Sequence, residues 1–127
     1  MHSGLKHSNV AATVAVRDMA TARRFYEGVV GLTVDAVEGD EAVSYVAGET
    51  RLFVYVSDFA GGNGATAATW SVEDIDATVQ TLSAEGVRFE RYDMPGMHLD
   101  GDIHVGSGMR LAWFKDPDGN IHALVEE

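Results

Sequence analysis

The chain has 127 residues, the size of one domain that can bury a real core, with the mixed polar and apolar composition of a globular protein. Nine Lys and Arg stand against twenty Asp and Glu, a formal net charge of −11. Such a field repels nucleic acid and anionic membranes and attracts cationic ligands. Cysteine is absent, which excludes disulfides, thiolate metal sites and a cysteine nucleophile. No apolar run nears the roughly 20 residues of a membrane span, and the first residues lack the apolar stretch of a signal peptide. A cytoplasmic location is therefore the expectation.

Residues 10–16 are rich in Val, Ala and Thr and predict a strand. Asp18 stands where a helix N-cap belongs, its carboxylate able to accept from the first free amides. Met19, Ala22, Phe25, Tyr26 and Val29 follow at helical spacing and give one buried face, with Arg23, Arg24 and Glu27 on the other. Gly28 and Gly31 supply the stop. Residues 33–38, 42–47 and 51–56 predict three strands, parted by Gly39-Asp40 and Gly48-Glu49 as hairpin turns require. Residues 58–66, with Gly61, Gly62 and Gly64, have the composition of a flexible linker. The same order then recurs. Residues 67–72 predict a strand, Asp74 a cap, and Ile75, Val79 and Leu82 a helical stripe closed by Gly86. Residues 87–91, 109–115 and 120–126 predict three more strands, the last two joined by the turn Asp116-Pro117-Asp118-Gly119.

Two segments head these halves, Val16-Arg17-Asp18-Met19 and Val72-Glu73-Asp74-Ile75. With Ala112-Trp113-Phe114-Lys115-Asp116-Pro117-Asp118-Gly119-Asn120, they resemble the vicinal oxygen chelate superfamily, which includes glyoxalase I, bleomycin-resistance proteins, fosfomycin-resistance enzymes and extradiol dioxygenases. The expected fold is α+β: two tandem βαβββ modules forming a curled eight-stranded mixed sheet around a cavity. One domain, 1–127, would comprise module one at about 9–57, a linker at about 58–66 and module two at about 67–127. The resemblance also implies a homodimer.

Metal-dependent relatives carry a His or Gln seven residues before the capping Asp, which here is Ala11, and in the second half Ala67. Their Glu four residues after the turn glycine is Ala123, and the fourth position falls on Phe53 or Tyr55. Alanine offers no lone pair, so the usual site cannot form and neither metal nor cofactor is expected. His122, next to Ala123 in a strand, should face the helices. A separate cluster, His98, Asp100, Asp102 and His104, alternates along the chain, and an extended segment would place all four on one side. The glycines around it favour a loop instead, a flap over the cavity mouth.

Alternation places Thr13, Ala15, Thr69 and Ser71 on the cavity face with Ala11 and Ala67. Pairing Lys115 with Asn120 across the turn adds Arg110, Phe114 and Ile121, and sends Trp113 and Leu124 to the helix side with Trp70. Arg110 then has two roles open to it: an anchor for an anionic oxygen, or an ion pair with a carboxylate such as Glu41 or Asp102. The candidate ligand-binding set is Thr13, Phe53, Tyr55, Thr69, Tyr92, His104, Arg110 and Phe114. The expectation is a metal-independent small-molecule binding protein of the glyoxalase/bleomycin-resistance type, sequestering an aromatic or cationic ligand. The alternative is a lyase- or dioxygenase-type enzyme with an atypical metal or Arg/Tyr-based site.

Overall fold

The structure, a computed structural model, describes residues 4–126. Strand β1 (Ala12–Val16) leads into α1 (Met19–Arg23), whose cap Asp18 accepts from the Thr21 amide at 3.0 Å. The helix continues through a wider π-helical segment, Arg24–Val29. Strands β2 (Thr33–Glu38), β3 (Ala42–Ala47) and β4 (Thr50–Val56) complete the first module. The second opens with β5 (Thr66–Ser71) and α2 (Ile75–Ala84), where Asp74 accepts from the Ala77 amide at 3.1 Å. It continues through β6 (Phe89–Glu90), β7 (His98–Asp100), β8 (Ile103–Gly106), β9 (Met109–Lys115) and β10 (Ile121–Glu126).

Two mixed sheets result. The first has four strands in the order β1-β4-β3-β2; the second has six, β5-β10-β9-β8-β7, with β6 also on β9. In each module the first strand lies parallel to the last, β1 on β4 and β5 on β10, while the other pairs are antiparallel. The fold is thus α+β with the expected repeat, but the described residues hold ten strands where the sequence predicts eight.

Helices cover one face of each sheet because that is where the apolar alternation falls. Val14, Val16, Val43, Tyr45, Leu52 and Val54 pack on Met19, Ala22 and Tyr26. Ala112, Phe114 and Leu124 pack on Ile75, Val79 and Leu82. Each of the larger side chains among them contributes about 1.5–3 kcal/mol when fully buried, so these stripes supply most of the drive to fold. Phe25 and Trp70 touch both clusters and join the modules.

Three expectations need correction. The turn after β9 is one residue shorter than counted: the Asp116 amide bonds to the Asn120 carbonyl at 3.0 Å, leaving Pro117, Asp118 and Gly119 as the loop, with Gly119 at φ 88°. Ala123 therefore pairs with Trp113, and Ala112 with Leu124. A one-residue slip exchanges the two faces of a strand, so Arg110 and Phe114 point to the helices and Trp113 points away. Second, residues 98–106 form a hairpin on the edge of the sheet rather than a loose loop. Third, the glycine-rich linker is docked: Ala60 is buried, its carbonyl accepts from Arg17 at 3.1 Å, and Gly61 lies so close to the Asp118 carbonyl that a Cβ would clash.

Candidate functional site

The helix-facing side is a closed account. Trp70 Nε1–H, which can only donate, reaches His122 Nδ1 at 3.0 Å, so the neutral imidazole carries its proton on Nε2. That proton points at the Tyr26 oxygen, 2.9 Å away, and the Tyr26 hydroxyl donates to Asp116 Oδ2 at 2.6 Å. Asp116 also accepts from the Asn120 side chain and from the amides of Asp118 and Asn120, and Asn120 donates to the Ala15 carbonyl at 2.7 Å. The chain Trp70 → His122 → Tyr26 → Asp116 runs from the second sheet to the first helix and back to the second module's turn. Burial pushes the His122 imidazolium down to about 4, against the opposing pull of the Asp116 carboxylate. Burial, and then the Asp116 charge, raises the Tyr26 phenol far above its usual range. His122 faces the helices, as alternation requires.

Arg110 belongs to this side too. It donates to both oxygens of Asp76 on α2, at 2.8 and 3.1 Å, and lies 3.5 Å from Glu126. The hydrogen bonds to Asp76 raise its guanidinium and hold the Asp76 carboxyl below the usual range. Its partners are therefore neither Glu41 nor Asp102; Asp102 is held instead by Arg91 at 3.0 Å. Phe114, 1% exposed, is core and stacks on His122. Both leave the candidate set for the same reason, the shorter turn.

The opposite faces of the sheets are open. On the first, β1 and β4 align Thr13 with Phe53 and Ala15 with Tyr55, and β3 adds Ala42 and Ser44. Thr13, Phe53, Tyr55, Ser44, Ala36 and Glu38 line a cavity of 330 Å³, with Phe53 and Tyr55 44% and 43% exposed. Where the sheets meet, Thr13, Ala15, Tyr55 and Ala67 line a second hollow of 300 Å³ beneath Phe59 and Gly61 to Asn63. On the second sheet Thr69 pairs with Ala123, which pairs in turn with Trp113. The structure thus brings Thr13, Phe53 and Tyr55 together, but sets Thr69 on the other sheet.

Tyr92 and His104 sit together elsewhere, in a cavity of 320 Å³ beside the β7–β8 hairpin. His104 is 1% exposed, and its Nε2 accepts from the Tyr92 amide at 2.9 Å. The hairpin dissolves the metal-like alternation. His104 shares a face with Leu99, whereas His98 and Asp100 share the other with Val105 and Ile103. Asp102 lies in the intervening turn.

The positions that would hold a metal lie on or beside the open faces, as Ala11, Ala67, Ala123 and the pair Phe53 and Tyr55. Among them only the Tyr55 hydroxyl carries a donor atom. No group of three or more His, Asp or Glu among the described residues could hold an ion. This donor set does not fit a divalent metal.

A family model described as the glyoxalase/bleomycin resistance protein/dioxygenase superfamily matches residues 7–124. The chain belongs to this superfamily. Solved structures agree on the fold. A glyoxalase/bleomycin resistance protein from Catenulispora acidiphila is 26% identical with a TM-score of 0.68, covering 94% of this chain and 97% of its own. TnmS3, an antibiotic-binding protein from Streptomyces sp. CB03234, is 22% identical with a TM-score of 0.67, covering 97% and 98%. A lactoylglutathione lyase from Agrobacterium tumefaciens is 17% identical with a TM-score of 0.70, covering 94% and 93%. No curated protein sequence matches the chain. Among the described residues, no helix is long and apolar enough to cross a membrane.

Sequence reasoning missed Glu38 and Ser44 as cavity residues, and missed Asp116 and Asn120 as network members. Glu38 was findable in principle, since it lies two residues from Ala36 on a strand edge. The Tyr26–Asp116 bond spans 90 residues, and nothing local announces it.

Proposed function

We propose that this superfamily member is a metal-independent small-molecule binding protein that holds a flat aromatic cation on the open face of its first sheet. The observation that carries the reading is the 330 Å³ cavity in which Phe53 and Tyr55 stand nearly half exposed beside Thr13 and Glu38. Apolar walls with a few orienting polar groups are what small-molecule sites need, and aromatic faces attract cations. The net charge of −11 draws such a ligand in. A homodimer belongs to the same reading, because a second copy would cover open faces that a lone chain leaves to solvent. A lyase- or dioxygenase-type reading would need an Arg–Tyr pair or metal donors facing the cavity, and Arg110 supports the opposite side of the sheet.

The test uses proflavine, a planar aromatic cation, titrated against tag-free protein purified without chelator. Tyr55→Ser and Glu38→Gln should each weaken binding about tenfold, as loss of one cation–π or charged contact implies. Unchanged affinity in both variants would sink the assignment of this face. Near-stoichiometric transition metal in the purified protein, measured by mass spectrometry, would overturn metal independence.

A further inference from the structure

We propose a second ligand site, separate from the first-sheet cavity, beside the β7–β8 hairpin: it takes a flat, neutral molecule whose carbonyl-type oxygen accepts from His104 Nδ1–H. One buried ring nitrogen, His104 Nδ1, has no hydrogen-bond partner. Tyr92 N–H donates to His104 Nε2 at 2.9 Å, which fixes the lone pair on Nε2 and the ring proton of the neutral imidazole on Nδ1. His104 is 1% exposed, and Nδ1 is the one buried side-chain nitrogen or oxygen among the described residues without a hydrogen-bond partner. Native interiors rarely leave such a donor unpaired, and each exception has a cause, among them local strain, a functional role or a bound water.

The surroundings select the rest of the ligand. His104 lines a 320 Å³ cavity whose other walls include Tyr92, Met94, Met97 and Leu99, flat or pliable groups suited to an aromatic ring. Leu99 is 44% exposed on the rim, a large apolar side chain with nothing over it. Trp113 lies perpendicular to the imidazole, centroids 4.8 Å apart and planes at 85°, a contact that packs the ring but supplies no lone pair. An anion is disfavoured. The cavity's Arg91 is engaged by Asp102, and Asp93 adds a carboxylate to the wall. A metal ion is disfavoured as well: His98 also lines the cavity, but no group of three or more His, Asp or Glu among the described residues could hold one. What remains is a neutral ring bearing an acceptor.

One glycine of the hairpin sets how closely the preceding chain passes. Gly106 on β8 lets the Gly96 carbonyl and Met97 pass at a distance no Cβ would permit, and this close passage brings Met97 against the strand that carries His104. The donor, the soft wall and the rim are therefore set by one local crossing.

Coumarin and 2H-chromene, the same framework without the carbonyl, test the assignment. With the intact protein, ligand-observed NMR should give a Kd for coumarin about tenfold lower than for 2H-chromene, as expected for one hydrogen bond to a buried donor. Coumarin should shift the His104 ring nitrogens in long-range proton–nitrogen spectra. His104→Phe should reduce coumarin affinity to that of 2H-chromene. Since this variant also strands the Tyr92 amide, Leu99→Trp provides a second one, which fills the cavity from an exposed position and should abolish binding of both compounds. Equal affinity for the two compounds would mean that water already satisfies Nδ1–H and would overturn the proposal. So would the absence of coumarin binding at millimolar concentration. Loss of coumarin binding in Tyr55→Ser with none in Leu99→Trp would overturn it too, by placing the compound on the first sheet. The proflavine titration reports on that other face, so the two readings fail independently.

Discussion

Acid should find the weak point of this core at His122. The imidazole has no exposed surface, accepts from Trp70 at Nδ1 and donates from Nε2 to Tyr26. A second proton can go only to Nδ1, where the Trp70 N–H already points, so protonation breaks a bond and leaves a charge in an apolar interior. The ordinary value is 6.5 and the folded one about 4. Between these two, the unfolded chain binds one proton more than the native chain. Stability is therefore whole above about pH 6.5, falls as the pH drops toward 4, and loses nothing more from this group below that. Each pH unit inside the window costs about 1.4 kcal/mol, and the whole window about 3 kcal/mol. For a domain with about 5–15 kcal/mol in hand, that is a large share. Urea unfolding at fixed protein concentration, followed by tryptophan fluorescence from pH 7.5 to 4.5, measures it. His122→Phe keeps the parallel stack on Phe114, centroids 5.0 Å apart and planes at 8°, but cannot titrate. At pH 7.5 the variant should be about 1–2 kcal/mol weaker for its lost hydrogen bonds, and the two profiles should cross at about pH 5.5. Parallel profiles for wild type and variant would refute the reasoning.

Three further substitutions probe other parts of the same argument. Tyr26→Phe removes a donor to Asp116 and strands the His122 Nε2–H, which should cost about 2–4 kcal/mol in urea unfolding; a loss under about 1 kcal/mol would place the hydroxyl outside the network. Gly61→Ala meets both a φ of 79° and the Asp118 carbonyl, so about 2 kcal/mol should be lost, and an unshifted thermal midpoint would show that the linker is not docked. Ser107 lies at φ 53° beside Gly108 at 75° in the two-residue turn from β8 to β9; Ser107→Asn, better suited to that backbone, should add about 0.5 kcal/mol and raise the melting temperature.

What the sequence disclosed was local. Asp18 and Asp74 cap their helices because a carboxylate immediately before an apolar stripe has one good use, and both do accept from the amide three residues on. Thr13, Phe53 and Tyr55 share an open face because alternation in paired strands leaves them little choice. What failed was counting across a turn. The DPDG motif hides whether Asp116 or Lys115 closes the loop, and that one residue decides which way Arg110, Trp113 and Phe114 face. The β7–β8 hairpin escaped notice because its strands have three and four residues, too few for alternation to rise above a glycine-rich background. The buried network was illegible for another reason, since partners 52 to 96 positions apart leave no local pattern.

The distribution of unmet polar demand then separates structure from function within one fold. On the helix side every charged or polar group described above has been answered: Arg110 by Asp76 and Glu126, His122 by Trp70 and Tyr26, Asp116 by Asn120 and two amides. These groups fix how the modules sit and have nothing left to offer a ligand. On the other side the account stays open. Phe53 and Tyr55 face solvent over a cavity that holds a carboxylate, and His104 keeps a buried proton without an acceptor. Exposed aromatic surface and an unpaired donor are both costly to keep. A chain that satisfies its polar groups so fully on one side has the means to do so on the other, and these residues gain a physical reason once something binds there.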